Sequence, residues 1–359
     1  MRVDGAEWRI GIVDDVADEA DRRVLVELDH DDVITPTCLA EVSDAFRAHP
    51  QATLVYSDFT QVHGDLSPSD HRFDPAMGWR YSEEQLGART YLRCHALEPS
   101  PHNVGYIWYA PNHVRAFRKR AYEAVGGYNR QLTVLDDHDL MIRLFLEGDF
   151  VHLDRCLYLQ RIHRANTQSR RQTNAFIQQQ TVRNYLDNIE ALATAWAGRR
   201  SLAALHLRTH GAPAAPDDPS VRHAVIDPTR PRVDMPDSSV GVLWATDVLQ
   251  RVADRAELFN ECYRVLAHGG LMVTRTPSTD GRGAFQDPRA IAFYNENSFW
   301  YLTQERLRAS IPTLRARLQM SHVGTSFPTP WEEAHNIAYV HANLLAIKGG
   351  PRQGGPLLV

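Results

Sequence analysis

The stretch LVELDHDDVITP, Leu25 to Pro36, constrains this chain more than any other: a short apolar run ends abruptly in Asp29, Asp31 and Asp32, with only His30 between them. A continuous apolar run bounded by polar residues reads as a β-strand covered on both faces. Acids at its carboxyl end stand where α/β sheets bind ligands, in the crevice outside the strand ends. Three carboxylates in four positions repel one another unless a cation joins them. Mg²⁺ or Mn²⁺ takes oxygen ligands and usually uses one or two protein carboxylates plus substrate phosphate oxygens, which suits Asp29 and Asp31 spaced as D-x-D. A plainer reading stays open: a solvated turn whose acids favour the dipole of the helix that follows.

That helix is predicted from Thr35 as cap, Pro36 at the first position, and Leu39, Val42 and Phe46 as its apolar face. Ala52 to Phe59 reads as the next strand, and strand, helix, strand in this order suggests a parallel α/β sheet. Leu66 to Asn112 has weak periodicity and reads as a long loop region able to form a substrate wall. Helices are predicted at Lys119 to Val125, ended by Gly126 and Gly127, and at Asp137 to Leu146, ended by Gly148. Phe176, Tyr185, Ile189, Leu192 and Trp196 mark a long amphipathic helix that closes a first domain. HGAPAAPDDP, His210 to Pro219, is a boundary or a surface loop of a second block. In that block a strand at Val240 to Ala245, a helix at Ala256 to Val265, the turn AHGG and a strand at Leu271 to Thr274 form another α/β unit.

At 359 residues the chain has room for two domains of roughly 100 to 200 residues each. A formal net charge of -5 without a long basic run argues against nucleic acid as the main partner. Cys38, Cys94, Cys156 and Cys262 show no paired spacing, so neither a disulfide framework nor a zinc site is expected, and a cytoplasmic location fits. No apolar run of about 18 residues and no leader-like N-terminus is present, so neither a transmembrane segment nor secretion is expected.

Downstream of the acids, VGGYNRQLTVLDDHDLMIRL places Gly126 and Gly127 ahead of Asp136, Asp137, Asp139 and Arg143, and YLQRIHRANTQS carries Arg161, His163, Asn166 and Ser169. The strand ending in L-D-x-D-D, the block from Arg118 through Arg143, and this tail together resemble a family 2 glycosyltransferase of the GT-A fold over about residues 22 to 172. The resemblance implies a mixed-sheet, Rossmann-like domain that transfers a sugar, with inversion, from a nucleotide-diphosphate donor to an acceptor hydroxyl. On family grounds the donor is a UDP-sugar. It implies Mn²⁺ or Mg²⁺ at Asp29 and Asp31, with Asp31 favoured for direct contact and His163 reaching the metal or diphosphate. Asp137 would be the general base, and Asp32, Asp136 and Arg143 would take part in donor binding. The bland alternatives are a surface His163 and an Arg143 that pairs with Asp139 across one helical turn. Family members open with a strand and a VVDDGS-like turn before the D-x-D. Only IVDD, Ile12 to Asp15, echoes that turn, so a shortened nucleotide-binding half is expected.

In the second block, Met235 to Ala245, Asp247 to Val252 and Glu261 to Gly270 resemble the later half of a class I S-adenosylmethionine-dependent methyltransferase, over about residues 201 to 305. That resemblance implies a Rossmann-like α/β domain. His206 and Arg208 stand near the positions of the family's acid and glycines after the first strand, where backbone must approach the ligand closely. Asp227 sits too near the following strand to serve as the ribose acid, and Asp247, Gln250 and Arg251 replace the usual residues, so a degenerate cofactor site is expected. GRGAFQDP with YNENSFW, polar and aromatic, has two readings: the lining of an acceptor site, or, slightly preferred, a loop ordered by packing Phe285, Tyr294, Phe299 and Trp300. Domains at 1–198, glycosyltransferase-like, and 199–359, methyltransferase-like, are expected. Two rivals stand beside the glycosyltransferase reading: methyl transfer by the second domain, and a scaffold with both cofactor sites lost.

Overall fold

The computed structural model describes residues 2–3, 6–13, 24–75, 78–107, 110–162, 171–210, 219–350 and 352–354. The chain divides into two compact units, Met1–Leu192 with Gln353–Pro356, and Ala193–Arg352 with Leu357–Val359.

Unit 1 is built on β1 (Arg2–Val3), β2 (Ala6–Val13), β3 (Val24–Asp29), β4 (Val33–Ile34), α1 (Cys38–Ala48), β5 (Ala52–Val62), β6 (Arg80–Leu86), β7 (Arg89–His95), α2 (Pro101–Tyr106), β8 (Arg115–Arg118), α3 (Lys119–Ala124), α4 (Asp136–Glu147) and β9 (Asp149–Arg161). The nine-stranded sheet runs β1-β2-β3-β8-β5-β7-β6, with β9 pairing β4 and β5. β3 and β5 are not a parallel pair as the sequence suggested, because β8 lies between them and is antiparallel to both. The sheet is therefore mixed, and its parallel contact is between β5 and β9.

Two local expectations shift. Thr37, not Thr35, stands at the cap of α1, and no side chain caps it; the buried face is Cys38, Val42, Ala45 and Phe46, while Leu39 is exposed. Instead of a structureless loop, the region before Asn112 contains the hairpin of β6 and β7, turned by Gly87 at φ 63°, and the short helix α2. The hairpin strands are half polar, so their alternation is faint in sequence; Gly87 was the readable sign.

Buried polar groups tie these elements together. Arg118 on β8 donates from Nε to the Ala52 carbonyl at 2.9 Å and from Nη2 to those of Phe46 and His49 at 3.1 and 3.2 Å, satisfying the carboxyl end of α1. Asp58 on β5 is fully buried and accepts from Arg93 Nε at 2.7 Å, His152 Nε2 at 2.7 Å and the Ala96 amide at 2.8 Å, with His95 Nδ1 at 3.1 Å. Burial pushes its pKa up, but these donors outweigh burial and hold it below the ordinary value. Arg93 also pairs with Glu84 and Asp154, so one carboxylate and one guanidinium join β5, β6, β7 and β9.

The long helix α5 (Arg171–Arg199) follows. Its buried stripe is Ile177, Thr181, Tyr185, Ile189, Leu192, Ala193 and Trp196; Phe176, expected inside, is exposed, because the four-residue spacing runs from Ile177.

Unit 2 contains β10 (Ala203–Thr209), β11 (Val221–Ile226), β12 (Val240–Thr246), α6 (Arg255–Val265), β13 (Leu266–Pro277), α7 (Trp300–Thr303), α8 (Glu305–Arg308), β14 (Leu318–Ser326), α9 (Pro330–Ala334) and β15 (Tyr339–Ala346). Strand order is β11-β10-β12-β13-β15-β14, with the first four parallel and β15 antiparallel to both neighbours. The His210 to Pro219 stretch connects β10 to β11, inside this unit. AHGG is not a turn between elements but a bulge within β13, since Val240 pairs with Leu266 and Val242 already with Leu271.

Asp58→Ala strands the Arg93 guanidinium against Glu84 and Asp154 without its buried partner. The expected loss is about 3–5 kcal/mol in the urea transition of unit 1, followed by near-ultraviolet circular dichroism; a loss below about 1 kcal/mol would show the network to be dispensable.

Candidate functional site

At the carboxyl end of β3, an acid inside the apolar strand organises the surroundings. Glu27 is buried and takes a bidentate pair from Arg115, Nε to Oε2 at 2.8 Å and Nη2 to Oε1 at 3.1 Å, plus the Tyr128 hydroxyl at 2.7 Å. Burial raises its pKa, yet Arg115 and His113 override burial and bring it down to about 2. The same guanidinium donates from Nη1 to Asp137 Oδ2 at 3.2 Å. Asp137 is the second residue of α4, and its Oδ1 accepts the His138 amide at 2.8 Å. Buried His138 locks that helix: Nε2 donates to the Val104 carbonyl at 2.9 Å, and Nδ1 accepts from Asn184 at 3.3 Å.

His113 stands between the carboxylates, with Nε2 at 3.6 Å from Glu27 and 3.9 Å from Asp29. Glu27, Asp29 and His113 present ligand atoms within 4.8 Å of one another. Burial and Arg115 oppose a second proton on the His113 ring, while Asp29 and Glu27 favour it and lift its pKa. Arg115 Nη2 lies 3.0 Å from Nε2, an approach that uses the ring's lone pair there and so opposes the proton that the acids favour. Burial raises the pKa of Asp29, with His113 opposing.

The remaining acids of the motif divide by role. Asp32 is an anchor: it accepts the Tyr158 hydroxyl and the Arg161 amide, each at 2.7 Å, fixing the turn to β9. Burial raises its pKa to about 6. Asp31 is partly exposed, 3.8 Å from His30. Arg143 is held by Asp139 at 2.5 Å and by the Val125 and Gly127 carbonyls at 2.5 and 2.8 Å, so it pins the glycine turn after α3. Asp136 stands at the start of α4, where burial and Asp137 raise its pKa to about 6. His163 lies outside the described residues. The structure thus brings Glu27 and Asp137 onto one guanidinium, with Asp29 beside His113. Sequence reading missed Arg115, Glu27 and His113, although an acid inside an apolar strand is itself a sign that a buried cation must exist.

In unit 2 the chain leaves β10 toward β11 on one side and returns through β12 on the other, so the carboxyl ends of β10 and β12 flank a topological switch point. Polar side chains converge there. Arg251 donates from Nη2 to Asp287 Oδ2 at 2.9 Å and from Nη1 to Thr209 Oγ1 at 3.4 Å. Gln250 Nε2 reaches Asp247 Oδ1 at 3.2 Å, while Gln250 Oε1 is buried without a partner among the described residues. Asp247 adopts φ 55° at the strand end, and burial raises its pKa against Gln250 and Arg251. Asp227 follows β11 directly and is exposed, its Oδ1 accepting the Thr229 amide and hydroxyl, each at 2.8 Å. The nearness to the next strand inferred from sequence does not hold, because β12 starts only at Val240 and Asp227 stands at the carboxyl edge. Residues 211–218, where a glycine-rich turn would fall, lie outside the described residues. A separate cleft of about 580 Å³ beside α6 is lined by Arg230, Arg232, Glu261 and Arg264 among others. It excludes the switch-point residues, and Arg264 in it is paired with Glu261 and Asp237.

Residues 200–274 match a family model described as a methyltransferase domain. Solved structures similar to the chain include an S-adenosylmethionine dependent methyltransferase from Mesorhizobium loti (15% identity, 43% of this chain, 97% of that one, TM-score 0.27). The [4+2]-cyclase SpnF (14%, 46% and 83%, 0.29) and a SAM-dependent methyltransferase from Methanosarcina mazei (13%, 44% and 85%, 0.28) are similar to the same extent. Comparison with curated proteins gives no match. The likeness to a methyltransferase domain thus covers residues 200–274, inside the Rossmann-like α/β sheet of unit 2. Among the described residues no helix is long and apolar enough to cross a membrane.

Asp136 supplies a pH test. Its folded pKa of about 6 exceeds the ordinary 3.8, so the folded state holds a proton that the unfolded chain has released, and stability falls as pH rises between these values. Asp136→Asn removes that cost. Urea midpoints should show a gain of about 1 kcal/mol at pH 8, after allowance for solvent screening, and none at pH 4; an equal gain at both pH values would refute a titration origin.

Proposed function

We propose that unit 2 binds S-adenosylmethionine at the carboxyl edge of its sheet and transfers a methyl group. The reading rests on one observation: Thr209, Asp247, Gln250 and Arg251 converge at the switch point, inside the stretch that matches the methyltransferase family model. The donor set fits the cofactor. Asp227, beside the first strand, suits the ribose hydroxyls; the Arg251 guanidinium, steadied by Asp287, suits the methionine carboxylate; and the orphaned Gln250 Oε1 accepts an N–H. When bound, the sulfonium supplies an electrophilic methyl group. Asp247, whose raised pKa leaves it a better base than an ordinary aspartate, takes the acceptor's proton on its carboxylate.

Calorimetric titration of the full chain with S-adenosylmethionine should give saturable binding, weakened at least tenfold, about 1.4 kcal/mol, by Arg251→Ala and by Asp227→Ala. Heats that are absent at millimolar cofactor, or unchanged in both variants, would sink the proposal.

A second reading, glycosyl transfer with inversion from a UDP-sugar to an acceptor hydroxyl by unit 1, is favoured by Asp137 on Arg115 and by Asp29 beside His113, which itself lies against Arg115. Glu27 is saturated by Arg115 and Tyr128, so Asp29, Asp31 and neutral His113 would hold Mn²⁺ or Mg²⁺, an oxygen and imidazole set that suits Mn²⁺. The ion would neutralise charge on a departing diphosphate. Asp137, oriented by Arg115, would accept the acceptor's proton. UDP should then bind only with Mn²⁺; Asp31→Ala should abolish that binding, and Asp137→Asn should leave it intact. Equal UDP affinity with and without metal would remove this reading.

A further inference from the structure

Apart from Val225 on β11 and Tyr301 on α7, the large apolar side chains that unit 2 leaves exposed lie on two segments. Phe285, Ile291 and Phe293 lie on the segment that follows β13, and Phe327 and Trp331 on the segment between β14 and β15. β13 and β14 both run antiparallel to β15, so both segments sit at the carboxyl edge, where the switch point opens. Phe285 and Trp331 are 66% and 60% exposed, values at odds with the packing role expected for Phe285 from sequence. The rings nevertheless are ordered: Phe285 and Phe293 meet at 5.2 Å between centroids, and Trp331 stacks on His335 at 4.1 Å.

The two segments are interlocked. The Arg282 amide donates to the Asn336 carbonyl at 2.7 Å. A Cβ on Gly281 would lie 2.7 Å from Asn336 O and Ala338 N, so only glycine permits the approach. The first segment is also fastened to the switch point: Ile291 and Ala292 amides donate to the Gln250 carbonyl at 2.8 and 3.0 Å, and Asp287 holds Arg251. The aromatic rim is thus a fixed wall of the proposed methyl-transfer crevice.

Its chemistry selects an occupant. Asp280, Asp287, Glu296, Glu332 and Glu333 outnumber Arg282 and Arg289 on these segments. An acidic rim repels the phosphates of nucleic acid and of anionic lipid, which call for Lys and Arg. The apolar surface is mostly ring faces, interleaved with exposed Arg282, Gln286 and Asn297. Ring faces carry the negative lobe of the aromatic quadrupole and attract positively polarised C–H groups, as on one face of a pyranose, while amide and carboxylate side chains bond its hydroxyls. We infer that this rim docks a neutral oligosaccharide as the acceptor of unit 2, with Phe285, Phe293 and Trp331 as stacking platforms. The inference rests on the methyl-transfer reading of the same crevice.

The test uses the full chain and calorimetric titration with cellohexaose and mannohexaose, alongside S-adenosylmethionine on the same samples. At least one hexasaccharide should bind, and the Phe285→Ala/Phe293→Ala double variant and Trp331→Ala should each weaken it at least tenfold while S-adenosylmethionine affinity stays within twofold. All three rings are exposed, so these variants retain the fold. No binding of either hexasaccharide, affinity unmoved by both variants, or co-sedimentation with phosphatidylcholine vesicles would each overturn the assignment. Hexasaccharide binding without cofactor binding would instead retain the docking surface and remove methyl transfer.

Discussion

A guanidinium buried as deeply as that of Arg115 exists only where carboxylates come to meet it, and unit 1 is arranged around that requirement. Glu27 supplies the bidentate partner from the neighbouring strand, 88 residues away in sequence, and Asp137 the third contact from the start of α4, 22 residues on. The pairing fixes β3 against β8 and sets the start of α4. It also leaves Asp29 beside His113 as acids whose partners are incomplete, which is the electrostatic condition for a cation or a proton to matter.

Unit 2 is governed by a different constraint, the direction of its strands. Parallel strands place every connecting loop that matters at one edge, and the reversal of order at β10 opens a gap between two of those loops. Arg251, held by Asp287, reaches across that gap to Thr209, while the aromatic segments rise beside it. A short chain segment thereby gathers a charge pair, an orphaned amide oxygen and exposed rings within one fixed neighbourhood.

Much of this was readable in order along the chain. The strand ending at Asp29, the helices begun by Asp136 and Arg255, the long helix and the strand at Val240 follow from apolar runs and three-to-four residue spacing, which are local properties. The β6–β7 hairpin was not, because its half-polar strands show little alternation, and neither was the insertion of β8 between β3 and β5, because strand neighbourhood is not written in local sequence. Asp29 and Asp137 stood out in the sequence by their motifs, yet Arg115, which pairs with Glu27 and Asp137, sits in a four-residue strand with no motif of its own.

Sequence by itself determined the element types, the α/β class and the acids placed at strand and helix ends, since these depend on periodicity and on the chemistry of each residue. Only the tertiary structure decided which acids face one another, that Asp32 and Arg143 are consumed in holding the backbone, and that Asp227 stands at the carboxyl edge. The physical reason is that a side chain's role is set by its partners. Partners such as Glu27 and Arg115, eighty-eight residues apart, become neighbours only when strand order is chosen by the burial of the whole sheet.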